Sequence, residues 1–422
     1  MTITEIDNEL ILTAVGRKGL IKNFKSTLLG EDGDNYTGKI FATSFTIHSK
    51  DEIESFDLIF KIPNPESFFG RLMFELEGYE KEIRIYTELF VDIDKWQHQK
   101  FGSILFDIPT PNVVYGSVVD SVLVLDNLAA TNFKMANRQL GLNRDECSVV
   151  MKRLATFHGV VWAFSKEFDS DEAFFSNYPF AIGKMWRFAN DYMGRPEYLK
   201  NKEKILTLLS TMLKKSYPNE TYLIEKVQNH GKAVPVSPNC ADFYNKCNGF
   251  NMVCHGDLWA NNMLFQYDSS QQPMDVKFVD FQLCKYSTPA ADLSQFFWMS
   301  ANSDVLCNHI FSLIQAYYDR LCLVTQTLER DLEYSHNELL TSFDKINDYQ
   351  FQLSLQLAVQ FYVKNENTFK PSVENADSFS DEFFEEFCSY VEENVDQIDF
   401  CLKERLISMM RCAQNLNVFS KG

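Results

Sequence analysis

Two hydrophobic periods divide this chain. Ahead of about residue 130 apolar side chains recur at every second position. KIFATSFTIHS (39–49) puts Phe41, Thr43, Phe45 and Ile47 on one face, and FDLIFKIP (56–63) alternates again until Pro63 ends it. After residue 140 the spacing turns helical. NRDECSVVMKRLATFHGVVWAF opens on Asn143 and Glu146, an Asn-led variant of the capping box. It then carries Val150, Leu154, Phe157, Val161 and Phe164 along one face. A single switch of period, with no internal repeat, predicts an α+β protein. A small strand-rich lobe meets a larger, mainly helical one near residues 126–130.

Local signals fill in this outline. A helix is expected at about 73–90, and VLVLDNLA (122–129) is a short, strongly apolar strand. Between them the prolines at 109 and 111 break IPTPNVVYG. Residues 202–230 are expected to be helical and 231–250, rich in Pro and Asn, to be loop. MLFQY and VKFVDF read as a hairpin around DSSQQPMD. Ile310, Leu313, Tyr317 and Leu321 restore helical spacing beyond 290.

Several function classes are unfavourable from composition. A net charge of -18 gives no field to attract nucleic acid or an anionic membrane. No window approaches the roughly 18 apolar residues of a membrane span, and the acidic MTITEIDNEL start does not read as a signal peptide. The ten cysteines are scattered. Cys240, Cys247 and Cys254 stand too far apart for a usual zinc pair, so reduced thiols in a cytoplasmic protein are expected. With 37 Phe and 18 Tyr the chain has ample apolar surface for a core.

The chemistry concentrates in VCHGDLWANN (253–262). Phosphoryl transfer needs an orienting carboxylate beside the attacking hydroxyl, metal ligands under the phosphates and a cation to fix them. An Asp followed five residues later by an Asn has the spacing of a kinase catalytic loop. Here those residues are Asp257 and Asn262. A second metal-binding carboxylate should follow a hairpin at a strand end, and Asp280 in KFVDFQ stands there with the strand parity of Val276 and Phe278. No G-x-S-x-G elbow supports a hydrolase, and neither an H-R-D loop nor an A-P-E segment supports a protein kinase.

HGDLWANN, FVDFQ and AADLSQFF together resemble the ecdysteroid kinase-like (CHK kinase-like) family. That family is similar to choline kinases and aminoglycoside phosphotransferases, all variants of the protein-kinase fold. The resemblance runs from about residue 25 to beyond 300. It implies a protein-kinase-like two-lobe fold, with an N-lobe over 1–128 and a helical C-lobe over 129–422. Its catalytic set is Asp257, His255 and Asn262, with His255 holding the loop by hydrogen bonds. Asn262 and Asp280 would bind magnesium, and Asp292 would brace the loop. Lys61 resembles the phosphate-positioning lysine, paired with Glu82, although Glu75 and Glu80 compete for that place. The turn GEDGDNYTGK would offer Asn35, Tyr36 and Thr37 to nucleotide phosphates. Asp126 and Leu128 would form the adenine hinge, where the family's usual Glu-Asp is Asp126-Asn127 here. His158 matches a further family histidine and reads as a packed residue.

The expected activity is therefore an ATP- and Mg2+-dependent kinase of a small-molecule hydroxyl. An ecdysteroid-like steroid or other lipophilic alcohol is the first acceptor class and a choline-type amino alcohol the second. A catalytically silent kinase-fold protein that binds a ligand or partner is the alternative. No nucleic-acid or protein partner is implied.

Overall fold

The computed structural model describes residues 6–30, 38–50, 52–64, 68–182, 196–233, 250–362 and 400–418, with single residues between 385 and 393. The chain begins with helix α1 (Asn8–Val15), capped by the Asp7 carboxylate on the Leu10 N–H at 2.8 Å. Strands β1 (Leu20–Leu28), β2 (Gly38–His48), β3 (Ile53–Pro63), β4 (Val113–Ser117) and β5 (Val122–Asp126) follow. They form one antiparallel sheet in the order β1-β2-β3-β5-β4.

Both faces of the sheet's central strands are covered. Phe45, Ile47, Leu58, Phe60, Ile62, Val122 and Val124 pack with Leu10, Ile11 and Ala14 of α1 on one side. Leu123 and Leu125 point the other way, into the main core. That is why VLVLD reads as a continuous apolar run: its alternate residues serve two cores. Neither α1 nor β1 is anticipated in the sequence. β1 is almost wholly exposed, and Asn23, with φ 53°, sits at a register shift that breaks its alternation.

The helix expected at 73–90 is instead several pieces. α2 (Phe68–Glu75) ends before the left-handed Glu77, and α3 (Gly78–Arg84) continues through a π-turn (Ile85–Leu89) into α4 (Phe90–Phe101). After β6 (Phe133–Met135), α5 (Arg144–Ser165) starts at the expected capping box. The Asn143 side chain accepts from Asp145 and Glu146, and Glu146 accepts the Asn143 N–H at 2.9 Å. α6 (Asp171–Asn177) follows. The helix expected at 202–230 is two, α7 (Pro196–Ser216) and α8 (Thr221–Ala233), because Pro218 interrupts it. Most of the expected loop at 231–250 lies outside the described residues.

Short strands β7 (Met252–Cys254) and β10 (Lys285–Ser287) pair with each other, while β8 (Met263–Tyr267) lies between β6 and β9 (Pro273–Phe278). Helices α9 (Pro289–Ser300), α10 (Ser303–Asn308), α11 (Ile310–Thr327), α12 (His336–Tyr362) and α13 (Phe400–Asn415) complete the second lobe. The resulting mixed α+β architecture is the expected one: an antiparallel sheet first, then a mainly helical remainder. Among the described aromatic residues after 290, Phe296, Phe297, Trp298 and Tyr317 are fully buried, while Phe311 is exposed.

Three bonds tie the end of α9 to distant chain. Asn347 of α12 accepts from Trp298 Nε1 at 2.6 Å, and Arg405 of α13 donates to the Trp298 and Ala301 carbonyls at 3.0 and 2.8 Å. Arg405 thus caps the negative end of α9. A disulfide between Cys307 and Cys412 joins α10 to α13 across 105 residues. It corrects the expectation that every thiol is reduced, and removes the cysteine argument for a cytoplasmic place. Sequence spacing could not reveal it, since only the packing of α13 brings the two residues together. Among the described residues, no helix is long and apolar enough to cross a membrane.

Candidate active site

Strand parity sets the first group. On β3, Leu58, Phe60 and Ile62 face α1, so Lys61 faces the opposite side, toward the second lobe. Lys61 is only 8% exposed, and its ammonium meets two carboxylates, Glu82 Oε2 and Asp280 Oδ1, each at 2.7 Å. Glu82 is therefore the partner among the three candidates. Glu80 lies against Arg84 at 2.8 Å, and Glu75 is exposed. Burial works against the Lys61 charge, but Asp280 and Glu82 hold its pKa above the ordinary lysine value. Burial pushes the Glu82 carboxyl up to about 7, against the pull of Lys61.

The catalytic-loop candidates sit between β7 and β8. A one-turn 3-10 segment (Ala260–Asn262) folds the chain back, so the Asn262 amide reaches Asp257. Its Nδ2 donates to the Asp257 carbonyl at 2.9 Å and to Oδ2 at 3.0 Å. This closure accounts for the five-residue spacing read in the sequence. Gln295 of α9 donates to the other carboxylate oxygen, Oδ1, at 3.3 Å. Burial and the nearby charge of Asp280 push the Asp257 carboxyl up to about 7, against hydrogen bonds from Asn262 and Trp259.

His255 has both ring nitrogens engaged. Nδ1 accepts the Asp257 N–H at 3.3 Å, so Nε2 carries the proton and donates to the Val279 carbonyl at 3.0 Å. The ring is neutral, and burial lowers its pKa further. It ties the Asp257 loop to the chain just ahead of Asp280. Behind the loop, Asp292 accepts the His255 N–H at 2.6 Å and the Gly256 N–H at 3.0 Å, while His158 reaches its Oδ2 at 3.2 Å. His158 also meets the Tyr317 hydroxyl at 2.7 Å and is fully buried. His158, Cys254 and Asp292 form a buried cluster, but the Asp292 oxygens are occupied by these donors. Burial also pushes the Cys254 thiol well up, away from the thiolate a metal would require.

Asp280 departs from its expected setting. β9 ends at Phe278, and Asp280 lies two residues beyond, at φ 70° and ψ 66°. A non-glycine residue held there stores about 1–3 kcal/mol, a kind of strain that clusters at functional sites. The twist turns Asp280 toward Lys61. The next residue, Phe281, becomes a hub, with ring centroids 5.7 Å from Tyr86, 5.2 Å from Phe90, 5.5 Å from Phe157 and 4.5 Å from His255.

Gly256 permits the closest approach. It has φ +80°, and a Cβ there would stand 2.1 Å from the Leu283 carbonyl oxygen. Gly256→Ala must adopt a left-handed conformation, costing roughly 1–2 kcal/mol, and must also push the loop off backbone that has no rotamer to give. A loss of at least about 2 kcal/mol in urea-unfolding stability is expected. An unchanged midpoint would show that the loop does not pack this way.

Asp126 and Leu128 lie at the end of β5, where Asp126 pairs with Leu58, roughly 10 Å along the sheet from Lys61. The Asp126 side chain is held by Asn112 Nδ2 at 2.8 Å. Asn127 bonds Asp57 and the Ala129 N–H, so each of these side chains has a partner within the chain. Asn35, Tyr36 and Thr37 lie outside the described residues.

Four polar neighbours escaped sequence reasoning. Gln295 touches Asp257, and Gln282 Nε2 donates to Asp280 Oδ2 at 3.2 Å. Lys285, pulled down to about 8 by burial, feels the charges of Asp292 and Asp257. Lys81 is buried beside Glu82. Gln282 follows the quoted Asp-Phe and was within reach of motif reading, but nothing in the spacing marks the other three.

Among curated proteins, none matches the chain significantly. Among solved structures, an aminoglycoside phosphotransferase from Alicyclobacillus acidocaldarius subsp. acidocaldarius DSM 446 is similar at 11% identity and a TM-score of 0.33. That match covers 93% of this chain and 92% of the other. The sequence profile of the ecdysteroid kinase-like family matches residues 32–330, most of the length and all the candidate site residues. The chain belongs to the ecdysteroid kinase-like family.

Proposed function

We propose that this protein is an ATP- and Mg2+-dependent phosphotransferase whose acceptor is the hydroxyl of a lipophilic, steroid-like alcohol. The observation that carries this is the meeting of Lys61, Glu82 and Asp280 from two lobes beside the Asp257–Asn262 loop. Family membership supports the small-molecule acceptor class. In this proposal residues 1–128 form the nucleotide-covering lobe and 129–422 the lobe that carries the acceptor.

The donor set suits magnesium. Asp280 offers a carboxylate, and Asn262, whose Nδ2 is spent on Asp257, has its amide oxygen to give; both are hard oxygen ligands. Burial first, and then the charge of Asp280, push both Asp257 and Glu82 up to about 7, a penalty that a bound cation would relieve. Bound Mg2+ supplies charge neutralisation at the transferring phosphoryl group. Lys61 fixes the phosphates by its charge, while Glu82 keeps that ammonium in place. Asp257 orients the acceptor hydroxyl and takes its proton as the oxygen attacks. His255, Asp292 and Gly256 hold the loop that presents it.

The test has two parts. Calorimetry should show ATP binding that depends on Mg2+. Labelled ATP incubated with a panel of hydroxylated metabolites should then yield a phosphorylated steroid-like alcohol. Phosphate appearing only on choline-type amino alcohols would overturn the acceptor class. Absence of binding at millimolar nucleotide would overturn the activity and favour a ligand-binding role.

A further inference from the structure

Beside Glu82 stands a second buried cation that the proposed chemistry does not use. Lys81 is 4% exposed, and its Nζ donates to the backbone carbonyl of Cys284 at 3.0 Å, 203 residues away. Consecutive helical positions point about 100° apart, so α3 turns Glu82 to Lys61 in the first lobe and Lys81 to the second. Burying an ammonium is costly, and one of its partners is the Cys284 carbonyl, which ties α3 to the second lobe.

The place of that bond matters. Phe281–Cys284 is the segment that follows the twisted Asp280, and it fixes where that carboxylate stands. Phe281 packs on Tyr86 and Phe90, and the Leu283 carbonyl abuts Gly256 of the catalytic loop. α3 itself runs into the π-turn at Ile85–Leu89, a local irregularity of the kind found at functional sites. Each end of the Lys81–Cys284 bond therefore belongs to an element that places a charged group of the site.

We infer that Lys81 is a positioning residue that keeps α3 in register with the segment behind Asp280, so the Lys61–Glu82–Asp280 arrangement is formed before nucleotide binds. This rests on the phosphotransferase reading above and adds to it a device that replaces closure induced by ligand. Lys81 acts through Glu82 on one side and Asp280 on the other.

The experiment compares wild type with Lys81→Met and Lys81→Arg, using a fluorescent N-methylanthraniloyl ATP analogue with Mg2+ and hydrogen exchange without nucleotide. Lys81→Met is expected to bind the analogue about tenfold more weakly, the loss of one charge-assisted hydrogen bond. Exchange should quicken in 78–84 and 281–284 but stay unchanged in α11. Lys81→Arg keeps the charge and a donor, and should recover most of the affinity. Wild-type affinity and exchange in Lys81→Met would overturn the inference. So would protection lost evenly over the whole chain with affinity intact, since that marks a stabilising role only. If Lys81→Met does not fold, Lys81→Gln, which keeps a neutral donor of shorter reach, is expected to weaken binding severalfold and quicken exchange in the same two segments, and wild-type affinity and exchange in it would overturn the inference. If wild type itself binds no analogue, the phosphotransferase reading fails, and the exchange comparison still decides the role of Lys81.

Discussion

Asp257→Asn is expected to fold as the wild type does and to transfer phosphate at least about 100-fold more slowly, the lower end of what a positioned general base contributes. The replacement has the same shape but cannot take a proton. It also meets two donors: Asn262 Nδ2 on one oxygen and Gln295 Nε2 on the other, so one of these bonds becomes a donor facing a donor. Stability should suffer little in return. Burial and Asp280 already oppose the Asp257 charge, and removing it relieves that repulsion. The useful measurement is therefore a pair: initial rate with labelled ATP on the accepted alcohol, and thermal midpoint. Near wild-type rate in a folded Asp257→Asn protein would remove Asp257 from the chemistry. A rate loss accompanied by an equal fall in Mg2+-dependent ATP binding would move its role from the acceptor to the metal.

How much of this was legible in the sequence depended on the range of the interaction. The β2 and β3 alternation, the α5 capping box and the Asp257–Asn262 closure are set by residues within a few positions of one another, and each stands where its spacing placed it. The resemblance points to Lys61 and names Glu82 first as its partner, but spacing alone leaves Glu75 and Glu80 open, because three glutamates on one helical stretch differ only in which face the helix turns inward. The break at Glu77 and the π-turn decide that face, and neither has a sequence signal. Asp280 was placed by strand parity, yet the strand stops two residues short and a left-handed residue re-aims it. The Cys307–Cys412 bond, Gln295 and Lys81 depend on chain segments that meet only once distant parts of the chain have packed together. Length and period cannot report such meetings.

Asp292→Ala is expected to lower stability by about 3–5 kcal/mol, the range for leaving a buried charged network without its centre. The carboxylate is fully buried and accepts from the His255 N–H, the Gly256 N–H and the His158 ring. Alanine leaves two backbone donors and a histidine without an acceptor. Asparagine is the sharper test, because it is isosteric and offers one acceptor oxygen. One of the two loop N–H groups would then face an NH2 group, and a loss of about 1–3 kcal/mol follows. The pH dependence has a defined sign. Although burial opposes its charge, hydrogen bonds from the His158 ring and the Gly256 N–H hold the Asp292 pKa below the ordinary aspartate value. Its contribution to stability is therefore full above the unfolded-state value and is lost as pH falls through the lower folded-state value. Below about pH 4 the wild-type urea midpoint should accordingly fall more steeply than that of Asp292→Asn, which has no proton to gain. Parallel acid limbs in the two proteins would mean that Asp292 takes up its proton equally in the folded and unfolded chain, and that the Asp257 loop is held by something other than this carboxylate.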